Sequence, residues 1–228
     1  MDERTAKALL EYMQQFITDE RKQLFEKVLE YRTRHITVVL EDIYQPHNAS
    51  AVLRTCDLTG VQDVHIIENK NKYDVNPDVA LGSFKWLNLI KYNETEDNTL
   101  GAFQKLKEQG YRIIATTPHK DEQTPQTIPL EGKMALVFGT ELTGLSNTAI
   151  ENADEYLKIP MYGFTESFNI SVSAALILHI LTERLRESDI RWQLSETEKT
   201  MIRLEWVKRT LRKAEIYEKA FLKTHRSE

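Results

Sequence analysis

Cysteine occurs once in this chain of 228 residues, at Cys56. A single thiol excludes an internal disulfide and a cysteine-built zinc site. The six histidines are scattered, with no His-x-His or His-Glu-x-x-His spacing, so no bound metal is expected. No apolar run reaches the ~20 residues that a membrane-spanning helix needs. The N-terminus, MDERTAKALLEYM, lacks the basic-then-apolar plan of a secretion signal. Missing too are a Gly-x-Gly-x-x-Gly after a strand and a Gly-x-Ser-x-Gly elbow. These absences remove the support for a dinucleotide-binding Rossmann site and for a hydrolase of that class. The reducing cytoplasm is the expected location, and no membrane partner is expected.

What is present is ordinary in amount and uneven in arrangement. Hydrophobic residues make up 41% and charged residues 29%, enough for one α/β domain with a buried core and helical additions. The net charge is −5. Residues 184–228 carry twelve Lys/Arg against eight Asp/Glu, a surplus of four, which leaves −9 on residues 1–183. A basic C-terminal segment on an acidic body fits local phosphate binding, although charge alone favours a solvated helix that leans positive.

Three stretches follow from the periodicity. Residues 1–34 form a helical arm, with Leu9, Leu10, Met13, Phe16, Ile17, Leu24, Phe25, Val28 and Leu29 at helical spacing over 3–31. Residues 35–187 alternate between short Val/Ile-rich runs and amphipathic segments. Strands are expected at 37–43, 64–67, 87–92, 111–116, 134–138 and 156–161, and helices at 48–58, 99–109 and 145–153. Runs without strict polar alternation imply burial on both faces, hence a mostly parallel sheet with helices on both sides. A long apolar helix is expected over 167–187. Residues 188–228 form a helical extension, opened by the capping box Ser195 to Glu198 and striped by Val207, Leu211, Ala214, Tyr217 and Phe221.

Three segments carry chemistry, and each sits where a strand gives way to a loop or helix, the place where open α/β sheets bind ligands. The first is PHNASAVLRTCD, residues 46–57. Asn48 suits a helix N-cap, and Arg54 is a cation among Val52, Leu53 and Cys56, costly there unless Asp57 pairs with it. The second is VFGTELTGLS, residues 137–146. Gly139 and Gly144 match a phosphate-loop spacing, but Leu145 stands where such a loop needs Lys, and Glu141 would repel phosphate. Its glycines still allow close backbone approach to a ligand. The third is IPMYGFTESFNISVSA, residues 159–174. Pro160 lets the chain turn, and Asn169 is unexpected inside a helix that otherwise reads as core.

In order, these segments resemble the signature motifs of the SPOUT-class methyltransferases, specifically the TrmH-like RNA ribose methyltransferases. Asn48 to Arg54 resembles the family's Asn-x-x-x-x-x-Arg motif, Phe138 to Gly144 its Phe-Gly-x-Glu-x-x-Gly motif, and Ser167-Phe168-Asn169-Ile170-Ser171 its Ser-Leu-Asn-Val-Ser motif. Gly82-Ser83-Phe84-Lys85-Trp86 also resembles a segment of the tRNA-modifying members. The likeness covers about residues 36–187. Leu142 and Phe168 depart from the usual Lys and Leu.

The resemblance implies a parallel-sheet domain with a C-terminal deep trefoil knot, which pattern alone would never give. It also implies a homodimer with the site completed across the interface, S-adenosylmethionine as cofactor and tRNA as partner. Thr116, Gly139, Ile159, Met161 and Phe168 line up with cofactor contacts. Asn48, Arg54, Glu141, Ser167 and Asn169 line up with catalytic or site-shaping residues. The implied reaction is 2′-O-methylation of a ribose, with guanosine 18 of the tRNA D-loop as the target. Arg32, Arg34, Lys85, Arg184, Arg186, Arg191 and Arg209 are the expected phosphate contacts, joined by Arg203, Lys208, Arg212 and Lys213. Two alternatives stand beside this reading: the same chemistry on ribosomal RNA, and a catalytically silent knotted RNA-binding protein.

Overall fold

The structure is a computed structural model and describes residues 1–72, 82–120, 123–140 and 143–225. Its chain divides into two compact units, Thr33–Trp192 and the pair of segments Met1–Arg32 and Gln193–Glu228.

In the larger unit, Val- and Ile-rich runs form strands β1 (Ile36–Glu41), β2 (Asp63–Ile67), β3 (Asn88–Tyr92), β4 (Tyr111–Thr116), β5 (Lys133–Phe138) and β6 (Glu155–Leu157). They make one sheet in the order β3-β2-β1-β5-β4-β6, with every described pairing parallel. Every residue of the central strand β1 is buried, as a sheet covered on both faces requires. Alternate side chains serve opposite faces. Val38, Leu40, Leu136 and Phe138 pack with α3 (Pro46–Thr59) and the helix Ile170–Glu187, while Val39, Val137 and Ile113 pack with α4 (Thr99–Glu108) and α5 (Asn147–Asn152). Each large apolar side chain so buried stabilises by roughly 1.5–3 kcal/mol.

Several boundaries differ from the expected ones. The helix expected from residue 167 begins at Ile170, giving α6 (Ile170–Glu187), and Asn169 is its N-cap, not an interior residue. Asn48 lies inside α3, whose N-cap is Gln45 with Pro46 in the first turn. The strand expected to reach Met161 ends at Leu157.

In the smaller unit, the arm is two helices, α1 (Glu3–Met13) and α2 (Asp19–Leu29). They are separated where Ile17 turns extended and Thr18 caps the second helix. The C-terminal stripe is likewise split between α7 (Glu196–Thr210) and α8 (Ala214–His225), because Leu211 is extended and Lys213 has φ 61°. The capping box of Ser195 and Glu198 is present. Within this unit α1 and α2 cover the apolar side of α7: Phe25 meets Trp206 edge-on, Lys199 binds Glu30 at 2.9 Å and Arg203 binds Glu26 at 2.5 Å.

Candidate functional site

The second motif becomes a tightly closed loop after β5. Thr140 N donates to Gly144 O at 2.9 Å and Gly144 N to Thr140 O at 3.1 Å, while the hydroxyls of Thr140 and Thr143 lie 2.7 Å apart. Gly144 needs its positive φ of 69° to make this return. Gly139 is required for a different reason. A Cβ there would lie 2.3 Å from the Gly144 carbonyl carbon and 2.4 Å from Leu145 N. Glu141 and Leu142 lie outside the described residues.

The third motif runs from the end of β6 to the start of α6. Thr117 N donates to Leu157 O at 3.0 Å, which holds the strand end beside the chain leaving β4. Beyond Pro160 the chain passes along a cavity of about 520 Å³ at the C-terminal ends of β4, β5 and β6. Thr116, Gly139, Ile159, Met161 and Phe168, the five residues expected to hold a cofactor, all line it, and Ser167 joins them. The pattern did not single out Thr117, His119, Lys120 or Thr143, which also line it. For Thr117, His119 and Lys120 the one signal was position after the end of β4, and for Thr143 its place within the second motif. The Thr116 hydroxyl donates to Val137 O at 2.7 Å, so its part is to fix the two strand ends.

The first and third motifs meet at the beginnings of α3 and α6. Asn169 accepts from Ser171 N at 2.8 Å and Ser171 Oγ at 2.6 Å, and its Nδ2 donates to Asn48 Oδ1 at 3.3 Å. Asn48 Nδ2 in turn donates to Gln45 Oε1 at 3.1 Å. Arg54 is not where the sequence placed it. It is exposed on α3, no hydrogen bond or ion pair holds its guanidinium among the described residues, and it does not line its own chain's cavity. Helical phase explains this: Ala49, Val52, Leu53 and Cys56 face the core, and residue 54 falls outside their arc.

The expected phosphate contacts divide. Arg32 is 1% exposed, with its guanidinium 5.3 Å from the Trp206 ring, and is withdrawn from that set because a buried side chain cannot reach a backbone phosphate. Arg34 pairs with Asp63 at 2.9 Å. Arg184 donates to the carbonyls of Pro125 and Ile128 at 2.7 and 3.0 Å, and Arg186 to Thr59 O at 2.7 Å and Glu183 at 2.6 Å. Arg203 and Lys208 hold Glu26 and Glu218. Lys85, Arg191, Arg209, Arg212 and Lys213 are exposed.

No helix among the described residues is long and apolar enough to cross a membrane, and none of their His, Cys, Asp and Glu cluster as a metal site. Burial pushes His65, on β2 and away from the cavity, down to about 4, against an opposing pull from Asp63.

Comparison with known proteins places these features. The family model of the SpoU rRNA Methylase family matches residues 35–179. A tRNA (guanosine(18)-2′-O)-methyltransferase of Borreliella burgdorferi is 47% identical over 206 residues, spanning 90% of this chain and 93% of the relative. Among solved structures, the Aquifex aeolicus TrmH/SpoU tRNA modifying enzyme superposes with a TM-score of 0.76 at 31% identity, covering 86% of this chain and 98% of that one. AviRb from Streptomyces viridochromogenes, solved in complex with AdoMet, shares the fold with a TM-score of 0.58 at 19% identity, covering 71% of this chain and 62% of that one.

Proposed function

The chain belongs to the SpoU rRNA Methylase family, and on that premise we propose that it is an S-adenosylmethionine-dependent tRNA 2′-O-methyltransferase acting on guanosine 18. The observation that carries this is the cavity at the strand ends. It gathers the glycine loop and the Ser167–Phe168 segment, with the Asn48–Asn169 bond joining the helix that bears Arg54 to the helix that closes the third motif. Transfer RNA is favoured over ribosomal RNA because relatives of both kinds of likeness, in sequence at 47% and in structure at a TM-score of 0.76, carry tRNA in their names.

The cavity residues fit the cofactor. Its volume falls in the range of ~300–1,000 Å³ usual for small-molecule sites. Ile159, Met161 and Phe168 offer apolar walls for a purine, while the Thr140 and Ser167 side chains and the loop backbone offer polar partners. When bound, S-adenosylmethionine supplies an electrophilic methyl group on a sulfonium. The chain's own tasks are to hold the ribose 2′-hydroxyl in line and to manage its proton. A guanidinium with a pKa above ~12 is a poor base, so Arg54 clamps the neighbouring phosphate and orients the hydroxyl. Ser167, Asn169 and Asn48 shape the site, and Glu141 is assigned to it from its motif alone. The deep trefoil knot of the family would account for a loop wound so closely that Gly139 tolerates no side chain.

Arg54 stands outside its own cavity, which supports a homodimer in which each copy lends this residue to the other's site. Val172 and Leu176 on α6 and Leu58 on α3 are apolar and exposed, at 44%, 39% and 76%, and supply a surface for that pairing. Residues 35–187 carry the transfer chemistry, and the flanking helical segments, 1–34 and 188–228, grip RNA. Mixing tests the composite site. Arg54→Ala chains and Gly139→Ala chains, each inactive alone, regain tRNA methylation when refolded together. Continued inactivity, with mixed dimers shown by mass, would refute the shared site.

A further inference from the structure

Glu41, the last residue of β1, is 2% exposed, and neither the reaction nor the motifs use it. Its carboxylate takes three donors from two elements. Thr99 Oγ1, at the start of α4, donates to Oε1 at 2.7 Å. Ser146 donates twice, from Oγ to Oε1 at 2.7 Å and from N to Oε2 at 2.9 Å. Ser146 also accepts from Ala149 N at 3.0 Å, so its hydroxyl proton is committed to Glu41 and its lone pair to α5.

Ser146 directly follows Gly144 and Leu145, and Asn147 follows it; all three neighbours line the cavity. The start of the loop is held by β5 and by the Thr140–Gly144 bridge. The bridge closes the loop on itself, and the two Ser146 bonds to Glu41 anchor the chain that leaves it to the end of β1. Resting on the reading above, we propose that Glu41 is a positioning residue for the cofactor: it fixes the exit of the glycine loop so that the backbone at Gly144 and Leu145 is already shaped for the ligand. A buried carboxylate suits this because it accepts only, and its bonds to the loop are charge-assisted and short. Preorganised loops bind more tightly because less ordering is left to the binding step.

Thr99 provides the comparison, since it shares the same carboxylate but leads away from the cavity into α4. The test measures S-adenosylmethionine affinity by calorimetry and steady-state kinetics for wild type, Glu41→Ala, Glu41→Gln and Thr99→Val. Glu41→Ala should weaken cofactor binding and raise its KM by about tenfold, with kcat at saturation and the KM for tRNA nearly unchanged. Glu41→Gln keeps the shape and one acceptor, so it should fall between wild type and Glu41→Ala even where Glu41→Ala folds poorly. Thr99→Val should bind cofactor within about twofold of wild type although it loses a bond to the same carboxylate. Wild-type affinity in both Glu41 variants would overturn the assignment, as would a loss in Thr99→Val equal to that in Glu41→Ala. If wild type itself binds no S-adenosylmethionine, the cofactor reading fails together with this inference; if wild type binds and the Glu41 variants match it, this inference alone fails.

Discussion

Asn169 donates through Nδ2 to Asn48 Oδ1 at 3.3 Å, joining two residues 121 positions apart in sequence. Each side chain serves its own helix as well: Asn169 caps α6 through Ser171, and Asn48 holds Gln45 at the entry to α3. The bond brings together two helix N-termini, the electropositive ends of both helices. Asn169→Ala should cost about 1 kcal/mol for the lost cap. Asn48→Ala and Asn169→Ala together should be less damaging than the sum of the two by about 0.5–1 kcal/mol in urea unfolding. Strict additivity would mean that the bond contributes nothing.

The core of the larger unit was legible because its strands are dense in Val and Ile; β4 was bounded to the residue, and the other strands agree to within a few residues at each end. Breaks in helices were not. Apolar spacing runs in phase across Ile17–Thr18 and across Leu211–Lys213, so periodicity sees one helix where backbone dihedrals make two. Asn169 was misplaced for the same reason, since Phe168 and Ile170 continue the apolar pattern past the cap. The exposure of Arg54 is legible from helical phase, since Ala49, Val52, Leu53 and Cys56 share an arc that excludes residue 54, although all of them are near it in sequence. Glu41 gave no signal, because its partners Thr99 and Ser146 are 58 and 105 residues away.

Gly139→Ala should abolish cofactor binding. The added methyl meets backbone at 2.3 Å rather than a movable side chain, so the loop itself must shift. Calorimetry with S-adenosylmethionine checks this, and wild-type affinity would show that the loop is looser than its contacts imply.

Arg32→Ala and Arg209→Ala should fail in opposite ways. Removing buried Arg32 exposes one side of Trp206 and should cost about 2 kcal/mol in unfolding free energy without changing the salt dependence of tRNA binding. Arg209 is exposed on the last turn of α7. Its loss should leave stability within ~0.5 kcal/mol and lower both tRNA affinity and the slope of affinity against salt. Filter binding at three salt concentrations, beside urea titrations, separates the two.

His65 makes stability depend on pH. Its folded value, about 4, lies below the ordinary 6.5, so the unfolded chain takes up the proton first as pH falls. Stability is complete above pH 6.5 and is lost down to pH 4, by about 2 kcal/mol between pH 7 and pH 5. His65→Phe should remove that share of the slope, at the expense of the 2.9 Å contact with the Tyr92 hydroxyl. Parallel urea midpoints for wild type and variant between pH 7 and pH 5 would contradict the assignment.

The most direct measurement is transfer of tritiated methyl from S-adenosylmethionine to an unmodified tRNA transcript, with nuclease mapping of the labelled nucleotide. The account predicts 2′-O-methylguanosine at position 18, made by the wild-type protein and lost by at least ~100-fold in Arg54→Ala with cofactor binding unchanged. Absence of label from tRNA while S-adenosylmethionine binds, or label appearing in ribosomal RNA instead, would contradict it.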